Sequence, residues 1–105
     1  MKNEERQKKL ADFMYEYLKA VDIFEIAKQK EDQDGQIRGN QQKSKFLEII
    51  ISAIDFGEMT PDEVKKAWYS AIREKTDEQL NALSKLLEGR YSLPQLLADW
   101  FKNHP

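Results

Sequence analysis

The chain has 105 residues and a formal net charge of −2, with 17 basic and 19 acidic side chains. This length predicts one domain spanning residues 1–105. The nearly balanced charge provides no overall field that would attract nucleic acid or an anionic membrane. The sequence has no cysteine, which excludes disulfide bonds and thiolate metal sites.

The first predicted element is a helix over about residues 4–29. Gly35, Gly39 and Asn40 then interrupt the helical period and predict a flexible loop over about residues 31–40. The helix itself is indicated by apolar residues spaced three or four apart, a period that excludes a strand. They are Leu10, Phe13, Met14, Tyr17, Leu18, Val21 and Phe24.

The second predicted helix covers about residues 41–55 and ends at Gly57. Apolar residues occur on nearly every side of it, which is typical of a helix in the middle of a bundle. The run Ile49–Ile51 leaves a second interpretation open, because β-branched residues also favour a short buried strand.

Three further helix starts share one pattern, an N-cap hydroxyl followed by helix-starting residues. They lie at Thr60–Glu63, Thr76–Gln79 and Ser92–Gln95. The middle one predicts a helix that ends at Gly89, although the third and fourth helices could also be continuous through Thr76. The sequence therefore predicts an all-α fold, a compact bundle or orthogonal array of four to five helices.

Catalytic and metal-binding patterns are not found in the sequence. The single histidine, His104, is next to last, and zinc and copper sites need more histidine or cysteine ligands. Asp32 and Asp34 suggest a calcium loop, but its twelfth position would be Lys43 instead of glutamate. We predict no enzyme activity, no cofactor and no metal.

The segment 36–45 is the one compositional departure, since its cations Arg38, Lys43 and Lys45 stand among amides without an acid. A basic loop of this kind can contact phosphates. A helix-turn-helix arrangement is disfavoured, because the would-be recognition helix opens with Asp77 and Glu78.

A second apolar surface is predicted on the back of the first helix, opposite its core face. Tyr15, Ile23 and Ile26 lie there, and Tyr69 lies off the core face of the third helix. Such residues often contact another protein chain, although a further helix of the same chain could also cover them. The two tryptophans, Trp68 and Trp100, are predicted to belong to the core.

These patterns predict a small protein-interaction module of the adaptor, inhibitor, immunity or accessory-factor kind. Its partner would be another protein or a second copy, bound through Tyr15, Ile23, Ile26 and Tyr69. The alternative is a nucleic-acid-binding accessory protein that uses Arg38, Lys43 and Lys45. The N-terminal stretch has no apolar export signal, and no run is long enough to cross a bilayer. We expect a cytoplasmic protein that does not bind a membrane.

Overall fold

The computed structural model of the chain describes the backbone of residues 2–78 and 93–104, and the side chains of residues 4–75 and 93–104. Every regular element in these ranges is an α-helix, which confirms the all-α prediction. The described part contains four helices, whereas the sequence left four and five open. They are α1 (Lys2–Gln29), α2 (Gln33–Phe56), α3 (Pro61–Glu78) and α4 (Gln95–Asn103).

Helix α1 lies between α2 and α3 and packs against both. Helix α2 runs antiparallel to α1 after a tight turn, and α3 runs parallel to α1. Two contacts fix these directions: Arg6 donates a hydrogen bond to the Gly57 carbonyl at one end, and Lys75 pairs with Asp22 nearer the other. The prediction that the second helix is central is therefore wrong for the described part of the chain.

The loop predicted at 31–40 is replaced by a turn of three residues, and residues 33–40 form the first turns of α2. The Asp32 carboxylate caps this helix by accepting a 3.1 Å hydrogen bond from the Gly35 amide. Gly35 and Gly39 are buried. A Cβ on Gly39 would lie 2.8 Å from the backbone of Phe24. The glycines therefore allow close approach of α1 and do not break the helix.

The run Ile49–Ile51 lies inside α2, so the strand interpretation is wrong. Ile50 is fully buried in the core, and Ile51 is partly buried against it. Helix α2 then ends at Phe56, whose side chain is 95% exposed. Its apolar residues thus face in several directions, but only one side of the helix is covered by the described residues.

Helix α3 begins as the sequence predicts. The Thr60 hydroxyl accepts a hydrogen bond from the Glu63 amide at 3.3 Å and donates one to the Glu63 carboxylate at 3.2 Å. The helix continues through Thr76 to Glu78, so no break occurs at Thr76. The predicted end at Gly89 and the predicted cap Ser92 lie outside the described residues.

Helix α4 begins at Gln95 after Pro94 and contributes Leu97 to the core. Trp68 is buried and its ring lies 6.3 Å from that of Tyr17. Trp100 is partly buried against the same core. The predicted core positions of both tryptophans are therefore confirmed. The most deeply buried apolar side chains include Leu10, Met14, Leu18, Ile50, Ile54, Val64, Ala67, Ala71 and Leu97.

Candidate functional site

The residues predicted on the back of the first helix lie along one side of α1. Tyr15 and Ile26 are eleven residues apart, which places them within about 20° of each other around the helix. Ile23 is adjacent, one turn before Ile26, and is 41% exposed. Tyr15 and Ile26 are partly buried. We call Tyr15, Ile23 and Ile26 the α1 outer stripe; it is about 16 Å long at 1.5 Å per residue.

Lysine side chains flank the tyrosine of this stripe. The Lys19 ammonium lies 5.2 Å from the centre of the Tyr15 ring, and the Lys75 ammonium lies 6.0 Å from it. Lys19 also pairs with Glu16 at 2.9 Å. Ammonium groups at this distance are attracted by the aromatic ring. The ring of Tyr15 is thereby held in place, which reduces the side-chain entropy that a partner would have to restrict.

A shallow cleft continues the α1 outer stripe toward the N-terminus of α1, between α1 and α3. Its lining residues include three carboxylates and one ammonium, so it offers hydrogen bonds beside the apolar stripe. No described group of three or more histidine, aspartate or glutamate side chains is arranged to hold a metal ion. The cleft is lined by Glu4, Gln7, Lys8, Ala11, Asp12, Ser70 and Glu74.

Tyr69 belongs to a different surface. Ser70 and Glu74 face the cleft beside α1. Tyr69 precedes Glu74 by five residues, which places it about 140° away around α3. Its side chain is 62% exposed. The four residues predicted to bind a partner therefore form one stripe of three on α1 and one separate exposed tyrosine on α3.

The predicted basic loop is part of α2, and its three cations do not share one surface. Lys43 lies over the Phe24 ring of α1, with the ammonium 4.5 Å from the ring centre. Arg38 and Lys45 are exposed. They are seven residues apart and therefore lie on the same side of α2, about 10 Å from each other along the axis.

The sequence reasoning missed a buried ion pair between Asp22 of α1 and Lys75 of α3. Lys75 is only 1% exposed, and Asp22 is also buried. A signal for this pair exists in the sequence. Asp22 follows Leu18 by one helical turn, and Lys75 follows Ala71 by one turn. Each helix therefore carries one charge of opposite sign next to its apolar face.

His104 is exposed, and its ring stacks on that of Trp100, with 4.3 Å between the ring centres. Its Nδ1 atom lies 2.9 Å from the Trp100 carbonyl oxygen. The histidine thus packs against the end of α4 instead of extending freely into solvent. Among the described helices, none combines the length and apolar character needed to cross a membrane.

Comparison with known proteins gives no relative from which a function could be transferred. The sequence matches no protein-family model, and searches of curated proteins and of solved structures also find no match.

Proposed function

We propose that this chain acts by binding a protein partner through the α1 outer stripe, and not by catalysis. The observation that carries the proposal is the position of α1. This helix packs on α2 and α3 with two of its sides. Beside the α3 contact it carries exposed Ile23 together with Tyr15 and Ile26, which are only partly buried, and Tyr15 packs against the edge of the core. A helix that serves only the core usually has charged and polar residues there.

The stripe favours a partner that presents an apolar groove or an apolar helix face. Ile23 and Ile26 are one turn apart and Tyr15 lies about two turns before Ile23, so the three share one side of the helix, as the anchors of helix-in-groove complexes do. The tyrosine adds a hydroxyl that can form a hydrogen bond at the edge of such a contact. The adjoining cleft, with Lys8 and Asp12 on α1 and Glu74 on α3, would form the polar rim.

The test begins with affinity capture of the full chain from a lysate of its source organism, with nuclease added. Any stoichiometric protein partner is then purified, and its affinity is measured for Ile23→Asp and for the unmodified chain. We expect the aspartate to weaken binding at least about tenfold, because it places a charge within an apolar contact. Ile23 is exposed enough that the substitution should leave folding intact.

The matched control is Leu96→Asp on α4, since Leu96 is 47% exposed and lies on another helix. It should bind the partner as the unmodified chain does. Equal binding by Ile23→Asp at unchanged stability would refute the α1 outer stripe. Loss of binding in Tyr69→Asp alone would instead assign the contact to α3.

Nucleic acid is the less favoured partner. Only Arg38 and Lys45 of the three predicted cations are exposed together, and Asp34, Glu48 and Asp55 of α2 are exposed as well. Carboxylates close to phosphate contacts oppose binding. If nucleic acid were the partner, capture would be lost on nuclease treatment. Two phosphate contacts would give a log–log salt slope of about −2.

A further inference from the structure

The solvent side of α3 carries three cations around one exposed aromatic ring. We call this set the α3 basic patch; it consists of Lys65, Lys66, Tyr69 and Arg73, and all four are exposed. The two lysines lie one helical turn before Tyr69, and Arg73 lies one turn after it. All three cations are within about 60° of the tyrosine around the helix axis, so the ring and the charges share one side of α3.

The charges of the α3 basic patch are available to a ligand. Among the described side chains, neither Lys66 nor Arg73 belongs to an ion pair. The Lys65 ammonium lies 5.5 Å from the centre of the Phe101 ring on α4, a contact that leaves its positive charge in place. Three cations that no described carboxylate neutralises give this side of α3 a positive potential, which attracts anions.

The described carboxylates of α3 lie mostly away from this patch. Glu63 and Glu74 are about 120° and 140° from Tyr69 around the helix, and Glu74 lines the cleft beside α1. Asp62 does lie on the side of the patch, but two turns before Tyr69, about 10 Å away along the axis. The stretch Lys65–Arg73 contains no acidic residue, so an anion bound along it meets a carboxylate only near the start of α3.

The composition of the patch favours single-stranded nucleic acid over an acidic protein. A protein interface of standard size covers about 800 Å² per partner and is depleted in lysine, whereas this patch has two lysines and one aromatic ring. Single-stranded nucleic acid is bound by these two components, since cations contact its phosphates and an exposed aromatic ring stacks on an unpaired base. Tyr69, at 62% exposure, offers such a ring between the cations.

We propose that the α3 basic patch binds single-stranded nucleic acid, with phosphates on Lys65, Lys66 and Arg73 and one base stacked on Tyr69. This inference goes beyond the proposed function, because it gives the chain a second ligand on another helix and leaves the α1 outer stripe free for a protein partner. The two surfaces can be tested independently, since binding of an oligonucleotide is measured on the purified chain alone.

Fluorescence anisotropy of a labelled single-stranded DNA of mixed sequence and about ten nucleotides is the first measurement. We expect a Kd of about 10–100 μM at low salt and a log–log salt slope of about −2, from three phosphate contacts at about 0.7 each. A duplex of the same length should bind more weakly, because its paired bases cannot stack on Tyr69. No binding up to about 1 mM, or tighter binding of the duplex, would overturn the proposal.

Substitutions separate the phosphate contacts from the stacking contact. Lys66→Gln with Arg73→Gln should weaken binding at least about tenfold and reduce the salt slope to about −0.7, because one phosphate contact remains. Tyr69→Ala should weaken binding about fivefold or more and leave the slope unchanged, because it removes stacking and no charge. Tyr69→Phe keeps the ring and should bind as the unmodified chain does. A Tyr69→Ala variant with unchanged affinity would refute the stacked base.

The matched control is Arg38→Gln with Lys45→Gln on α2, which also removes one exposed arginine and one exposed lysine seven residues apart. It should bind the oligonucleotide like the unmodified chain, and equal losses in the two double variants would refute the α3 basic patch. Poly-glutamate serves as the probe for an acidic protein partner. Tighter binding of poly-glutamate than of the oligonucleotide would overturn the assignment to nucleic acid. Circular dichroism confirms that each variant is folded.

Discussion

The interface between α1 and α2 contrasts with the interface between α1 and α3. Against α2, the described packing includes two buried glycines. Gly39 is so close to α1 that a Cβ on it would lie 2.8 Å from the backbone of Phe24. Against α3, large side chains fill the space: Tyr17 meets Trp68, and a buried ion pair joins Asp22 to Lys75. The same central helix is therefore held closely on one side and through long side chains on the other.

The two interfaces of α1 are therefore stabilised in different ways. Small residues let two helix backbones approach, and the closeness gives many dispersion contacts. A buried ion pair contributes little net stability, but breaking it leaves a charge away from water. The α1–α2 interface should therefore be sensitive to added volume, and the α1–α3 interface to the loss of one charge.

The largest expected effect is at the ion pair. Lys75→Met should lower the free energy of unfolding by about 3–5 kcal/mol, because buried Asp22 loses its partner charge. Asp22→Leu combined with Lys75→Met should recover most of that loss, since both charges are then absent. Urea denaturation measures both.

The exposed pair between Glu16 and Lys19 is the control for this prediction. Glu16→Gln should change stability by less than about 1 kcal/mol. If Lys75→Met were as mild as Glu16→Gln, burial of the Asp22–Lys75 pair would carry no energetic consequence, and the contrast between the interfaces would fail.

The next effect tests the close approach of α1 and α2. Gly39→Ala should destabilise the fold by about 1–3 kcal/mol, because its Cβ would lie 2.8 Å from the Phe24 backbone. Alanine favours an isolated helix by about 1 kcal/mol over glycine, so a destabilisation reports packing alone. Asn40→Ala, at the exposed neighbouring position, should be neutral or stabilising in the same thermal unfolding experiment.

A smaller effect is expected where α3 begins. Thr60→Ala removes the hydroxyl that accepts from the Glu63 amide and should cost about 1 kcal/mol. Thr60→Ser keeps that hydroxyl and should retain most of the stability. If chemical denaturation showed the same loss of unfolding free energy for both variants, the Thr60 hydroxyl would not be what stabilises the start of α3.

The smallest effect is a pH dependence at the α1–α3 interface. Burial raises the pKa of the Tyr17 hydroxyl above its ordinary value of 10.0. The unfolded chain therefore loses this proton at lower pH than the folded chain. The stability tied to the neutral hydroxyl is complete below about pH 10 and declines as the pH rises toward the folded-state pKa.

Tyr17→Phe removes this titration, so its stability should fall less steeply above pH 10 than that of the unmodified chain. Tyr69→Phe, at an exposed position, is the control and should leave the alkaline loss in place. Identical alkaline slopes for Tyr17→Phe and the unmodified chain would contradict the assignment.

A local sequence pattern predicts the start of a helix well where few other structures fit that pattern. Thr60 acts as an N-cap because the Thr-Pro-Asp-Glu pattern admits few other structures. Gly35 and Gly39 predict a loop, whereas the structure has them buried inside α2, because glycine can either end a helix or allow a neighbouring helix to approach closely. Which of these two roles a glycine has depends on the residue that packs against it. For Gly39 that residue is Phe24, which is not adjacent to it in the sequence.

The surfaces could be predicted only in part, for the same reason. Periodicity placed Tyr15, Ile23 and Ile26 on one side of α1, since that depends on a single helix. It could not place Tyr69 relative to them, because that requires the packing of α3. A charge beside the apolar face is visible in each helix separately, but the pairing of Asp22 with Lys75 depends on the register in which the two helices meet, which no local pattern specifies.

The three-residue turn between α1 and α2 has a kinetic consequence. Its ends lose little entropy on closing, so the α1–α2 hairpin can assemble from contacts that are near in sequence. The whole of α2 separates Asp22 from Lys75 in the sequence. These two residues can therefore meet only after a much longer loop has closed. We expect folding to start at the hairpin, so that Gly39→Ala slows refolding while Lys75→Met mainly speeds unfolding.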